Sequence, residues 1–354
     1  MFADHATMTA PAAPLFEARG YPVFQNRMYD SAAAARDCPK GDIRLAPDGQ
    51  SGIIVNATFD PSSVVYDAAY QNEQGNSAAF AAHLGTVARL VLDTMGRGPL
   101  IEVGCGKATF LDLLRARGAD ITGFDPTYEG DDPTIRRHYF EPGLGLQATG
   151  LILRHVLEHV PGPVTFLRNL AHANGGRGLI YIEVPCLDWI AENRAWFDLF
   201  YEHCNYFRLS DFHRIFARVV HAGRAFGGQY LTVVADLSEI RADPLPAAAP
   251  FRLPQPFAPQ FGAARPDDVI WGAGSKGVIY ALLRQRAGAP VGALVDINPA
   301  KQGRFVPASG IQVLDPATAL RNAGPDARII VMNPNYLDEV QAMTGRHCIL
   351  AEDA

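Results

Sequence analysis

Paired cysteines are missing from this chain. Its five cysteines, Cys38, Cys105, Cys186, Cys204 and Cys348, are odd in number and contain no C-x-x-C spacing. That excludes a disulfide framework and a four-thiolate zinc site, and points to a reducing compartment. A surplus of positive charge is missing as well: 31 Lys and Arg stand against 37 Asp and Glu, a net charge of -6. Without clustered cations there is nothing to neutralise a phosphate backbone, so nucleic acid is not an expected partner. No apolar run approaches the roughly twenty residues of a membrane helix. Met1 to Pro14 carry neither the basic start nor the apolar core of a signal peptide. These absences lead to the expectation of a cytoplasmic protein with a small-molecule substrate, no nucleic acid and no membrane attachment. They leave the oligomeric state open.

What is present is a globular composition, 48% hydrophobic and 19% charged, over 354 residues. That length exceeds what one core usually holds, so two or three domains are expected. The segment that organises the rest is Leu100-Ile-Glu-Val-Gly-Cys-Gly-Lys-Ala-Thr-Phe110. An apolar strand, Leu100 to Val103, runs into Gly104 and Gly106, and an amphipathic helix follows from Phe110 to Arg117 and stops at Gly118. Side-chain-free backbone and helix amides there make a socket that a ligand can approach closely. A second strand, Asp120 to Asp125, ends in a carboxylate about twenty residues past the glycines, where an acid can accept both ribose hydroxyls of a nucleoside. Over a dinucleotide pyrophosphate one expects G-x-G-x-x-G. Here Glu102 precedes Gly104 and Gly106, and an acid in that place suits a ligand with a positive amino group.

Glu102-x-Gly104-x-Gly106 with Asp125 resembles motif I of the class I S-adenosylmethionine (SAM)-dependent methyltransferases. The resemblance implies SAM as cofactor, held by Glu102, Gly104, Cys105, Gly106, Asp125, Pro126, Arg154 and His155. Ala108 stands where the motif usually has its third glycine. Further strands are expected near His138-Tyr-Phe140, at Gly150 to Leu153 and at Gly178 to Glu183. Their alternation with helices means an α/β fold, a parallel sheet wrapped by helices with ligands at the carboxyl ends of its strands. A helix with Ser77 as N-cap and apolar residues at helical spacing through Met95 leads into it.

The flanks extend the resemblance over nearly the whole chain. Pro22 to Asn26, Lys40 to Leu45, Phe59-Asp-Pro61 and Tyr66-Asp-x-x-Tyr70 look like the amino-terminal zinc-binding module of a three-part family that includes the sugar C-methyltransferases. The two C-x-x-C pairs of that module are absent, with Asp48 and Ser51 near the place of the second. Residues 1–76 are therefore read as a degenerate, metal-free module, 77–240 as the SAM-binding core, and 241–266, with prolines at 244, 246, 250, 254, 256, 259 and 266, as a semi-rigid connector. Residues 267–354 form a second Rossmann-like unit. They carry Gly272-x-Gly274-x-x-Gly277 after a strand and Asp296 at the end of another, which taken alone is a dinucleotide fingerprint. Trp271 to Gly277, Val295 to Gly303 and Met332 to Val340 match the carboxy-terminal domain of the same family, which closes over the substrate cleft. Too little chain follows the connector for a nucleotide half plus a catalytic domain, so an NAD-binding oxidoreductase or sensor ranks behind the methyltransferase.

Two polar clusters can do chemistry. His155-x-x-Glu158-His159 has the form of an inverted zinc-protease motif, but Pro161-Gly-Pro163 breaks the helix that motif requires, so no metal is expected there. In the resembled family the His at the position of His159 faces the substrate. Glu202, His203 and Tyr206 sit among bulky apolar residues, where pKa values can be tuned. They resemble the Glu-His pair that supplies the general base in the sugar C-methyltransferases, with Phe200 where that family has a tyrosine. The expected catalytic set is His203 as base, Glu202 as its orienting partner, and His159 or Tyr206 at the enolate oxygen. The expected reaction is methylation of a carbon next to a carbonyl in a biosynthetic pathway. The alternatives are an O- or N-methyltransferase of such a pathway, or a non-catalytic relic.

Overall fold

The computed structural model describes residues 13–65, 70, 77–261, 265–289 and 291–354. Of the Tyr66 to Tyr70 motif only Tyr70 lies within them, and the first twelve residues, part of the leader reading, lie outside.

The amino-terminal part supplies strands β1 (Phe16–Pro22), β2 (Lys40–Pro47) and β3 (Ile54–Asn56) of an antiparallel sheet. Tyr21 and Pro22 pair with Gly41 and Lys40, so Pro22 ends β1 and the chain turns away beyond it. Where a zinc pair would close the turn before β3, the Asp48 carboxylate accepts from the amides of Gln50 and Ser51 and from the Ser51 hydroxyl. A side-chain cap organises this turn.

Helix α1 (Ala78–Met95) buries Phe80, Leu84, Val87, Val91 and Met95 on one face, and the Ser77 hydroxyl caps its start by accepting from Phe80 N. Then come β4 (Leu100–Val103), α2 (Thr109–Ala116), β5 (Ile121–Phe124), β6 (Ile135–Arg136), β7 (Gly150–Arg154), α3 (Pro163–Ala173) and β8 (Leu179–Pro185). The two-residue β9 (Asn205–Tyr206) leaves this sheet and pairs with β3, and β10 (Val219–Ala225) and β11 (Tyr230–Asp236) close the series. The central order is β10-β11-β8-β7-β4-β5-β6, parallel from β8 to β6 and antiparallel at the β8-β11-β10 edge. Strands β4, β7 and β8 are buried along nearly their full length, as a sheet covered on both faces demands. The order reverses between β4 and β7, which places a ligand crevice at their carboxyl ends. The strand expected at His138 to Phe140 is found at Ile135–Arg136 instead. His138 and Phe140 pack edge-on against the Phe124 ring, so ring contact rather than a ladder holds them.

Among the described residues between 241 and 265 there is no helix or strand, yet the segment is docked. Phe257 meets Phe16 edge to face, and Arg208 lies over Phe251. Beyond it, β12 (Val269–Trp271), α4 (Ser275–Arg286), β13 (Ala293–Val295), β14 (Val313–Leu314), β15 (Ile329–Val331) and β16 (Cys348–Leu350) build a five-stranded parallel sheet in the order β14-β13-β12-β15-β16. This is a second doubly wound sheet, and the α/β class with two Rossmann-like units agrees with expectation. Polar pairs join it to the centre: Lys276 with Asp198 at 2.9 Å, and Asn333 with Gln229 at 2.8 Å. Tyr280 stacks on Trp196. No described helix is long and apolar enough to cross a membrane.

Candidate active site

The glycine turn after β4 is shaped by backbone that side chains would obstruct. Gly104 has φ +74°, its N–H donates to Phe124 O at 2.7 Å, and a Cβ added there would meet Val156 Cγ2 at 2.5 Å. Gly106, at φ +52°, has nothing within 4 Å of where a Cβ would stand, so the turn presents an open face. Ala108 occupies the left-handed region, φ +67°, at the position of the missing third glycine.

Glu102 is buried, and its Oε2 has no hydrogen-bond partner among the described residues. Burial, opposed in part by Arg154, pushes its pKa up to about 8. An orphaned buried acid beside an open glycine turn fits a ligand that brings a positive amino group. Asp125, expected to accept both ribose hydroxyls, has both oxygens engaged within the fold. Oδ2 accepts from Gly106 N at 2.8 Å, and Oδ1 accepts from both Thr127 N and Oγ1. With about four lone-pair sites on a carboxylate, the remaining capacity lies on Oδ2. Cys105 turns its sulfur toward Gly123 and Leu111 inside the fold, and burial raises its pKa. Pro126 is exposed on the loop beyond Asp125.

Arg154 and His155, at the end of β7, are fastened by a residue the sequence reading left without a role. Glu183, on the neighbouring β8, accepts from Arg154 Nη2 at 3.0 Å and Tyr181 Oη at 2.6 Å, and pairs with His155 Nε2 at 3.2 Å and His83 Nε2 at 3.0 Å. Burial alone would favour its neutral form, but Arg154 and the two imidazoles hold it well below the usual carboxylate range. For His155 burial disfavours the charged ring, yet hydrogen bonds to Glu158 and Glu183 lift its pKa to about 9. His155 is an imidazolium at neutral pH, held at φ +51°. The available signal was an acid closing an otherwise apolar strand. The convergence of donors from β7, β8 and α1 is a property of the packed sheet and is absent from any local pattern.

His155 also lines a cavity of about 230 Å³ together with Glu158, His159, Phe200, Glu202 and His203. The segment after β7 makes a single 3-10 turn, Leu157–His159, before Pro163 starts α3. His159 Nδ1 donates to the Glu202 carbonyl at 3.0 Å and meets the His203 ring edge-on at 4.7 Å between centroids. Among the described residues no hydrogen bond joins the Glu202 carboxylate to His203, the partner expected for it. Glu202 Oε2 accepts from Tyr70 Oη at 2.9 Å and lies 3.9 Å from His159 Nδ1. His203 is buried beside the Phe200 ring without a hydrogen-bond partner among the described residues. Burial, then the nearby His159 and His155, hold its pKa well below the usual imidazole value, so the ring is neutral. Tyr206 is removed from the expected enolate role: its hydroxyl donates to Phe200 O and accepts from Phe200 N, outside the cavity. Burial raises its pKa further. The far wall of the same cavity comes from the carboxy-terminal sheet, with Gly272, Gly274, Gly277 and Asp296. Asp296 is engaged by Asn298 N at 2.9 Å and by Lys301 at 3.5 Å.

Residues 76–219, under half of the chain, match the family model described as a methyltransferase domain. No curated protein matches the chain. Among solved structures, the 1,6-didemethyltoxoflavin-N1-methyltransferase of Burkholderia thailandensis, crystallised with 1,6-didemethyltoxoflavin and S-adenosylhomocysteine, is 15% identical over 44% of this chain and 78% of its own, with a TM-score of 0.34. The N-methyltransferase NodS of Bradyrhizobium japonicum WM9 is 11% identical over 45% of this chain and 97% of its own, TM-score 0.34. A plantazolicin methyltransferase in complex with S-adenosylhomocysteine is 13% identical over 48% and 87%, TM-score 0.37. Likenesses this distant say nothing of substrate. The family match shows that the central segment is similar to a methyltransferase domain.

Proposed function

We propose that this protein is a SAM-dependent methyltransferase that methylates a small molecule at a carbon next to a carbonyl. Glu102, with its orphaned oxygen, would hold the donor's amino group, the backbone at Gly104 and Gly106 would lie against it, and the free capacity of Asp125 Oδ2 would meet a ribose hydroxyl. When bound, SAM supplies a methyl group already activated by its sulfonium.

Carbon next to a carbonyl becomes a nucleophile only after losing a proton, so the chain must provide a base. The observation that carries the reading is His203: a neutral, buried imidazole on the cavity wall with no partner among the described residues to compete for its lone pair. Nearby His155 keeps a positive charge, fixed by Glu158 and Glu183, that favours the negative oxygen of the resulting enolate. The link from the donor turn to this wall is short, since Val156, next to His155, is the side chain packed on Gly104.

His203→Ala is expected to lower kcat by about 10²- to 10⁴-fold while leaving S-adenosylhomocysteine affinity unchanged. In deuterium oxide without donor, the wild type should also exchange the acceptor's carbon-bound proton, and the variant should not. Equal turnover by both would remove His203 from the base role, and a product methylated on oxygen or nitrogen, read by NMR, would replace C-methylation.

A further inference from the structure

The cavity wall holds an unpaired, buried carboxylate oxygen to which methyl transfer gives no role. Glu158 is 1% exposed, and while its Oε1 sits 3.3 Å from His155 Nδ1, its Oε2 has no hydrogen-bond partner among the described residues. A buried carboxylate oxygen left unpaired is costly. Two imidazoles converge on it: one ligand atom each from Glu158, His159 and His203 lie within 4.8 Å of one another. We propose that Glu158, His159 and His203 bind a divalent transition-metal ion of the zinc type, with further coordination positions open to the cavity.

The donor set suits such an ion: two imidazole nitrogens and one carboxylate oxygen are a recurrent three-residue set for zinc that leaves a position free. Donation from His159 Nδ1 to the Glu202 carbonyl fixes the ring's tautomer, so that in the neutral ring the lone pair resides on Nε2. A backbone carbonyl behind a histidine is also the usual outer partner of a metal ligand. The pairing of Glu158 with His155 holds the carboxylate in place in the same way. A 4.8 Å spread is wider than the roughly 3.4 Å edges of a tetrahedron with 2.1 Å bonds, so the side chains draw in by about an ångström on binding. This triad is not the inverted-protease pattern of the sequence. His155 is tied to two carboxylates, and its place is taken by His203 from a distant segment.

One consequence rests on the reading of His203 as base. A lone pair donated to a metal cannot take a proton, so the zinc-loaded protein is held inactive.

The test is a calorimetric titration of the chelator-treated full chain with Zn²⁺, with Co²⁺ absorption in the visible range as a spectroscopic readout. The expected result is one ion per chain, with affinity falling roughly tenfold or more in Glu158→Gln and in His203→Ala, and a Co²⁺ spectrum altered in both. S-adenosylhomocysteine binding reports whether each variant is folded. Absence of stoichiometric uptake, or uptake equal in wild type and both folded variants, would overturn the site. Zinc that binds at these residues without slowing turnover would uphold the site and remove His203 from the base role.

Discussion

Glu102 stands on β4 as an acid that the fold keeps protonated. With its pKa near 8, the free protein carries it neutral at pH 7, and a cationic amino group placed against it favours the carboxylate. Binding then releases a proton below about pH 8. Affinity for S-adenosylhomocysteine should therefore rise with pH from 6 to 8 and level off above. Calorimetry in buffers of different ionisation enthalpy would show the released proton, and Glu102→Gln should flatten the dependence. At this scale the sequence was informative for residues whose role is local. Glu102, Gly104 and Gly106 could be read from a strand entering a turn, because that geometry is encoded within a few residues. Glu183 could not, since its role comes from receiving Arg154, His155, His83 and Tyr181 across three elements. The Glu202–His203 pairing failed for a related reason. Adjacency in sequence did not bring the two side chains together, and Glu202 instead found Tyr70, a residue of the amino-terminal part.

Among elements, the β4 turn and the segment after β7 are fitted to each other through Gly104 and Val156. Gly104→Ala puts a methyl group 2.5 Å from Val156 Cγ2 at a φ of +74°. Left-handed backbone and overpacking each cost on the order of 1–3 kcal/mol. The variant should unfold at a lower temperature and lose donor affinity, and adding Val156→Ala should recover the steric part only. Thermal unfolding of the single and double variants separates the two contributions. The long elements were legible, as α1 and its Ser77 cap show, because a periodic apolar face and a cap are sequence properties. The two-residue β9 was not. Its pairing of Asn205 and Tyr206 with β3 depends on an edge formed some 150 residues earlier, and that pairing is what brings Glu202 and His203 to the cavity.

Over the whole molecule, the start of α1 is capped twice. Ser77 accepts from Phe80 N and also donates to Glu339 Oε2, which accepts in turn from Ala79 N, so the carboxy-terminal unit completes the cap of a helix in the centre. Glu339→Ala should cost about 0.5–2 kcal/mol, the usual worth of a cap, and amide exchange should accelerate at the first turn of α1 before it does elsewhere. Two doubly wound sheets in one chain were readable from two strand-glycine-helix patterns, whereas their meeting at one cavity was not, because the contacts joining them, Lys276 with Asp198 and Asn333 with Gln229, have no signature in either segment alone.

The cavity walls come from separate parts of the chain: His155, His159 and His203 belong to the centre, and the wall of Gly272, Gly274 and Asp296 to the carboxy-terminal unit. Mutation can therefore remodel the second wall without passing through a form that has lost its donor site. Choice of acceptor is the trait this architecture leaves most open to change over evolutionary time, and exchanging the carboxy-terminal unit between related proteins is the engineering step that follows from it.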